Sequence, residues 1–330
     1  MTGSGVLLSV ENLTTEYRTA GGGVPAVQDV SFQVHRGEIF GLVGESGSGK
    51  STVIRSIIGL LPKPAARITR GTVRLDGLDL ISLDPREMRR IRGGRVAMVF
   101  QDPMTSLDPV LPIGDQIREG LRYHGITGRA AQARVLEVMS LVGIPDAPRR
   151  QRAYPFELSG GLRQRVAIAI ALAASPQVLL ADEPTTALDV TIQDQILKLL
   201  LSLKEQLGMS VLLVTHDLGV VAQTCQRVAV MYAGRLVEIG PVTTVFSAPA
   251  HPYTRGLLAS LPGLATGRTR LRAIPGSPPD LGSLPSGCAF RTRCPIAIER
   301  CAEVVPPLED HGTDHLTACL RHQELGQTDD

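Results

Sequence analysis

An α/β fold with a largely parallel sheet and helical crossovers is predicted by three observations. First, short apolar runs bounded by turn residues recur along the chain: Ile39–Val43, residues 96–100, Val178–Ala181 and Val211–Val214. Second, helical periodicity separates them, most clearly over Thr191–Leu207. Third, the glycine-rich run Gly44-Glu45-Ser46-Gly47-Ser48-Gly49-Lys50-Ser51-Thr52 lies between the apolar run at 39–43 and a helical pattern over Thr52–Ile58. That order of strand, loop and helix is the context a phosphate-binding loop requires.

The elements are read in order. Val6–Val10 and Val30–Val34 are short strand candidates, with Gly21-Gly22-Gly23 as a loop between them. Gly71–Gly77 adds a strand ending in a turn. Residues 96–100 form a buried strand running into Gln101. Between 105 and 175 the strand signal is lost, and apolar Val135, Val138, Met139 and Val142 indicate helices. The apolar run Val166–Ala174 is too short to span a membrane and reads as a buried helix. Residues 228–240 read as a hairpin turning at Ala233-Gly234. From about residue 249 Pro, Gly and Arg rise, four cysteines appear and periodicity fades, which places a domain boundary there.

Composition narrows the function classes. Hydrophobic residues make up 43 %, enough for a real core, whereas aromatics are 3 % and Trp is absent, which leaves few surfaces on which bases stack. A net charge of +2 carries no nucleic-acid footprint. No apolar run approaches the ~20 residues of a membrane-spanning helix. The N-terminal Met1–Gly5 does not read as a signal peptide, so the chain is expected to stay in the cytosol.

The glycine-rich run carries the chemistry. Its glycines let backbone N–H groups form a concave anion nest, and the helix that follows points its positive dipole end at the same place. Lys50 is placed to reach the β- and γ-phosphates of a nucleotide and Ser51 to ligate Mg²⁺. A glycine-rich turn without function is the competing reading. Further along, Val178-Leu179-Leu180-Ala181-Asp182-Glu183 is an apolar strand ending in two carboxylates. After a phosphate loop, the first carboxylate holds Mg²⁺ and the second polarises the attacking water. Leu158-Ser159-Gly160-Gly161 opens an apolar helix and offers a hydroxyl and exposed backbone N–H groups to an anion. Taken alone it reads equally as an ordinary N-cap.

Together these motifs resemble the nucleotide-binding subunit of an ATP-binding cassette (ABC) transporter over about residues 6–245. Gly44–Thr52 matches the Walker A loop, with Gly44, Ser46, Gly47, Ser48, Gly49, Lys50, Ser51 and Thr52 as ATP contacts. Gln101 matches the Q-loop glutamine, and Leu158–Gly161 the family signature. Asp182 and Glu183 match the Walker B aspartate and catalytic glutamate, Ala187-Leu188-Asp189 the D-loop, and His216 the switch histidine. Tyr17, after the N-terminal strand, sits where the family stacks an aromatic on adenine, although core packing also accounts for it. Leu162 departs from the usual signature glutamine, while Ser159, Gly160 and Gly161 are intact.

The resemblance implies a P-loop NTPase core with an antiparallel β subdomain, a helical signature subdomain over about 105–175, and a small cysteine-rich C-terminal extension. The expected domains are 6–248 and 249–330. Cassettes of this family work in pairs, so Ser159, Gly160 and Gly161 are expected to act in trans on a second chain's ATP, with Asp189 crossing the interface. Glu183, His216 and Gln101 are the expected catalytic set, and Ser51, Gln101 and Asp182 the Mg²⁺ set.

The segments Phe100–Pro109, Tyr154–Arg165, His251-Pro252-Tyr253-Thr254 and Ile274–Pro279 resemble the oligopeptide, dipeptide and nickel importer subgroup. This implies an ATPase that energises peptide import from the cytoplasmic face of the membrane. The implied partners are a second, homologous cassette, two transmembrane permease subunits and an extracytoplasmic binding protein. A nickel or small-solute importer of the subgroup is one alternative. A soluble cassette ATPase without a membrane partner, or a redox-sensing switch, is the alternative from another class.

Cys288, Cys294, Cys301 and Cys319 fall within 32 residues, whereas the 287 residues before them hold only Cys225. Four thiols in a loop-rich cytosolic tail read as a ligand set rather than as disulfides. Their spacing is not that of paired C-x-x-C zinc sites, and Cys294-Pro295 matches the Cys-Pro that follows cluster ligands. With the subgroup resemblance the expected occupant is a [4Fe–4S] cluster, with Zn²⁺ as the alternative. Cys225 is expected to be buried and inert.

Overall fold

The computed structural model describes residues 5–102, 106–186, 189–260, 273–312 and 314–324. Pro103-Met104-Thr105 of the subgroup motif and Ala187-Leu188 of the D-loop match lie outside the described residues. In chain order the described strands are β1 (Val6–Thr19), β2 (Gly22–His35), β3 (Ile39–Val43), β4 (Ala66–Leu75), β5 (Leu78–Asp79), β6 (Val96–Val99), β7 (Val178–Asp182), β8 (Ser210–Thr215), β9 (Arg227–Tyr232), β10 (Arg235–Pro241), β11 (Glu309–Asp310) and β12 (Leu316–Thr317). The chain divides into two compact units, each drawn from separated stretches of sequence.

The first unit comprises residues 1–8, 34–38 and 75–213. Strands β6 and β7 pair in parallel, Val96 opposite Val178 and Val99 opposite Ala181. Every residue of both is buried. Strands covered on both faces lose the alternating pattern and become uniformly apolar, which is why both were legible as short hydrophobic runs. The region expected to be helical contains helices Ile113–Tyr123, Gly128–Leu141 and Gly160–Leu172. Ile113, Ile117, Leu121, Val135, Val138, Met139, Val166 and Ile168 bury their side chains among them. Helix Val190–Leu207 is capped by Asp189 and ends at Gly208 in the left-handed conformation (φ 63°), a C-terminus that glycine adopts without a Cβ penalty.

The second unit comprises residues 9–33, 39–74 and 214–330. Strand β3 pairs in parallel with β9, and β9 pairs antiparallel with β10. The hairpin between β9 and β10 turns at Ala233 (φ 47°) and Gly234 (φ 83°), as the sequence predicts. Two successive left-handed residues match the twist of the flanking strands. Strand β12 then adds to β10, with Thr317 opposite Glu238, and β11 adds to β12. The C-terminal stretch thus adds strands beside β10, which fading periodicity does not disclose: two-residue strands are too short to show a period.

Strands β2, β1 and β4 hydrogen-bond in that order. Strand β1 runs well past the expected Val10, to Thr19, because its second half is only partly buried and its polar residues mask the alternation. Among the described residues no helix is long and apolar enough to cross a membrane.

Candidate functional site

The phosphate loop lies in the second unit. Fully buried β3 delivers the chain to Gly44, and helix Lys50–Ile57 leaves from Gly49. Two glycines are demanded by space as well as by φ. A Cβ on Gly44 would stand 2.1 Å from the Met231 carbonyl oxygen, and one on Gly49 would stand 2.4 Å from that of Ala26. Gly44, Gly47 and Gly49 all have positive φ, at 156°, 79° and 106°. The Ser48 hydroxyl is buried without a hydrogen-bond partner. Ser46 and Gly47 are exposed, and Ser51 and Thr52 half-buried.

Lys50 is 4 % exposed. Its Nζ donates to the carbonyl oxygens of Gly44 (2.7 Å) and Glu45 (2.9 Å). The ammonium thus folds back over its own loop at the start of a helix, where the positive end of the helix dipole favours an anion. Tyr17 belongs to the same unit but lies within β1 rather than after the strand, and is half-buried. His216 follows β8 and is exposed. Asp217 next to it caps helix Leu218–Thr224 by accepting from Gly219 N at 2.8 Å.

In the first unit the carboxylates end β7. Asp182 is 1 % exposed. Glu183 turns the chain with a φ of 45°, strained for a residue with a Cβ. Its Oε2 accepts from Gln101 Nε2 at 3.1 Å and from Thr186 Oγ1 at 2.8 Å. The structure therefore brings Gln101 and Glu183 together across 82 residues of sequence. Thr186 is absent from the sequence expectation, and nothing in a Thr-Thr pair marks it out.

Ser159 caps helix Gly160–Leu172, accepting from Leu162 N at 3.4 Å. Ser159 and Gly160 are exposed. A Cβ on Gly161 would stand 2.8 Å from Ile192 Cγ2, so helix Val190–Leu207 holds that glycine small. Asp189 is exposed and spends one carboxylate oxygen on Ile192 N (2.9 Å).

The four C-terminal cysteines converge in the second unit. Cys288, Cys294, Cys301 and Cys319, with His251 and Phe290 among their neighbours, line one cavity of about 20 Å³. All four are free thiols and half-buried. Burial pushes the thiols of Cys288 and Cys294 up, and that of Cys319 up to about 11. Each of these three is also raised by neighbouring cysteines of the set. For these three, burial and the charge of neighbouring thiolates both oppose ionisation. Among the described residues no three His, Cys, Asp or Glu side chains stand close enough to hold a single ion. Cys225 is 9 % exposed. Its sulfur lies 3.2 Å from where a Cβ on Gly41 would stand, so it is packed into the core as expected.

Residues 27–186 match the ABC transporter family, and residues 237–301 match the oligopeptide/dipeptide transporter C-terminal region. Cys319 lies beyond the second match. A putative peptide import ATP-binding protein of Brucella ovis is 53 % identical, with 97 % of this chain and 98 % of that protein covered. The dipeptide transport ATP-binding protein DppD of Bacillus subtilis is 50 % identical over 95 % of this chain and 94 % of its own length. Among solved structures, the ATP-binding cassette MJ0796, in a dimeric post-hydrolysis state bound to ADP and Pi, superposes with a TM-score of 0.64 at 31 % identity. That superposition covers 72 % of this chain and 99 % of the cassette.

Proposed function

We propose, for a chain that belongs to the ABC transporter ATPases, that it energises the import of di- or oligopeptides across the cytoplasmic membrane. ATP hydrolysis follows from the family and from the loop around Lys50. The observation that carries the peptide reading is the match of residues 237–301 to the oligopeptide/dipeptide transporter C-terminal region, in a chain similar over nearly its whole length to peptide import proteins.

Residues 6–248 form the cassette and 249–330 the extension. Gly44–Thr52 cradles the phosphates, Tyr17 faces adenine, and Ser51, Asp182 and Gln101 serve Mg²⁺. Glu183 orients or deprotonates the attacking water, and His216 holds the γ-phosphate and that water. Ser159, Gly160 and Gly161 close over the ATP of a second cassette, with Asp189 at the shared interface. Closure shifts the population of the pair because ATP binds the closed state better, and hydrolysis removes that preference. The second cassette is a homologous chain of different sequence. Two transmembrane permease subunits convert closure into transport, and an extracytoplasmic binding protein delivers the peptide. Cys288, Cys294, Cys301 and Cys319 hold a [4Fe–4S] cluster that supplies folding energy to a stretch poor in apolar periodicity.

The test is the complete transporter in liposomes. Peptides presented with the binding protein should stimulate ATP turnover and accumulate inside. Stimulation by nickel or another small solute, with no response to peptides, rejects the peptide reading and leaves the ATPase intact.

A further inference from the structure

Every polar group of Glu45 that can reach outside its own loop is held by the C-terminal part of the chain. Arg293 Nη1 donates to Glu45 Oε2 at 2.7 Å, and Nη2 donates to Oε1 at 3.1 Å. This is the two-pronged geometry that makes guanidinium–carboxylate pairs directional. The Glu45 N–H donates to Tyr253 Oη at 2.9 Å. Glu45 is the second residue of the phosphate loop, and its carbonyl oxygen accepts from Lys50 Nζ at 2.9 Å.

Arg293 is itself fixed. Its side chain is 4 % exposed. Nε donates to Pro275 O at 2.9 Å, and Nη1 also donates to Tyr232 Oη at 3.4 Å. Its Cζ lies 5.8 Å from the centre of the Tyr232 ring and 6.0 Å from that of Phe290. Tyr232, Tyr253 and Phe290 pack on one another with ring centres 4.6 to 5.4 Å apart. Arg293 immediately precedes Cys294, so the guanidinium is anchored on its far side by the segment that lines the four-cysteine cavity. A continuous path of contacts thus runs from that cavity through Arg293 and Glu45 to Lys50, within one compact unit.

We propose that Arg293 is a positioning residue for nucleotide binding: by clamping Glu45 it fixes the phosphate loop in the shape that receives ATP, and it makes the C-terminal extension part of the nucleotide site. The physical basis is that a nest of backbone N–H groups binds an anion only while its φ/ψ values are held, and a loop of Gly and Ser has little stiffness of its own. A bidentate ion pair with a buried guanidinium supplies that stiffness, and removing Glu45 leaves that charge uncompensated. The inference rests on ATP binding at Lys50 and is independent of what is transported.

The experiment is ATP titration of the purified full-length chain with Mg²⁺, alongside thermal melting. Arg293→Ala should raise the ATP dissociation constant about tenfold at a temperature where the variant is fully folded. Arg293→Lys, which keeps the charge and loses the fork, should fall between. Glu45→Ala should match Arg293→Ala, and the double variant should be no worse than either, because the two act as one device. Arg291→Ala, the same loss of charge two residues away, should bind normally. Wild-type ATP affinity in folded Arg293→Ala, whatever its melting temperature, overturns the proposal by making the pair purely structural. Additive losses in the double variant overturn it by showing that the two residues act separately. Lys50→Ala is the control that separates failures: if it too binds ATP normally, the loop's nucleotide role fails, rather than the clamp alone.

Discussion

Gln101 and Glu183 share a hydrogen bond of 3.1 Å, and Thr186 approaches the same carboxylate oxygen. Glu183 is therefore aimed from two sides by residues of its own chain. Replacing it by Gln keeps an oxygen to accept both bonds and removes the basic carboxylate. We expect Glu183→Gln to bind ATP normally and to lose about 10²-fold or more in turnover. The measurement is phosphate release in the assembled transporter with the partner cassette's glutamate also replaced. Near-normal turnover there removes Glu183 from the reaction.

The glycines of the loop make a second, purely steric prediction. Gly49→Ala places a methyl 2.4 Å from the Ala26 carbonyl oxygen at a φ of 106°. Backbone strain alone costs about 1–3 kcal/mol, and the contact adds to it. Melting temperature and ATP affinity should both fall. Gly47→Ala, where a Cβ meets nothing within 4 Å, should suffer only the strain of its positive φ and lose less stability.

How much of this was legible in sequence depends on range. The loop, the apolar strands that lead to Gln101 and Asp182, and the turn at Ala233-Gly234 are written in contiguous residues, where glycine and apolar runs punctuate the chain. The Arg293–Glu45 pair spans 248 residues, and an arginine in a stretch rich in Pro, Gly and Arg reads as a solvated charge until the fold buries it. Glu238 is a similar case. It reads as a polar residue in an apolar strand, yet it is fully buried and accepts from Ala250 N, His251 N and His315 Nε2.

His251 yields a pH prediction. Complete burial lowers its pKa from 6.5 to about 3, and its Nδ1 accepts from Tyr253 N at 3.1 Å, a bond only the unprotonated nitrogen makes. Between pH 6.5 and 3 the unfolded chain binds a proton there that the folded chain does not. Stability from this group is complete above about pH 6.5 and is lost as the pH falls through that window. Denaturation midpoints should drop on acidification, and His251→Gln should flatten that part of the profile. An unchanged slope in the variant assigns the acid loss to other groups.

For the four cysteines we expect protein made without oxygen to be brown, absorbing broadly near ~400 nm, with roughly four irons per chain. Serine at Cys288, Cys294, Cys301 or Cys319 should bleach it, and Cys225→Ser should not. Stoichiometric zinc without iron rejects the cluster and keeps the thiolate site. Protein free of any metal rejects both.

The assembled transporter should contain one copy of this chain beside a homologous cassette of different sequence. Mass measurement of the intact complex decides it, and two copies of this chain with no second cassette reject the heterodimer.

The clamp on Glu45 also bears on the order in which the molecule is made. The phosphate loop leaves the ribosome first, and Arg293 follows 248 residues later. At bacterial and eukaryotic synthesis rates that interval is about 12–50 s, far longer than local helix or hairpin formation takes. Throughout it the loop exists without its guanidinium partner. A nascent chain released before residue 293 carries the Walker A sequence in full and lacks the residue that stiffens it. The full grip on ATP is thereby deferred until residue 293 has been translated.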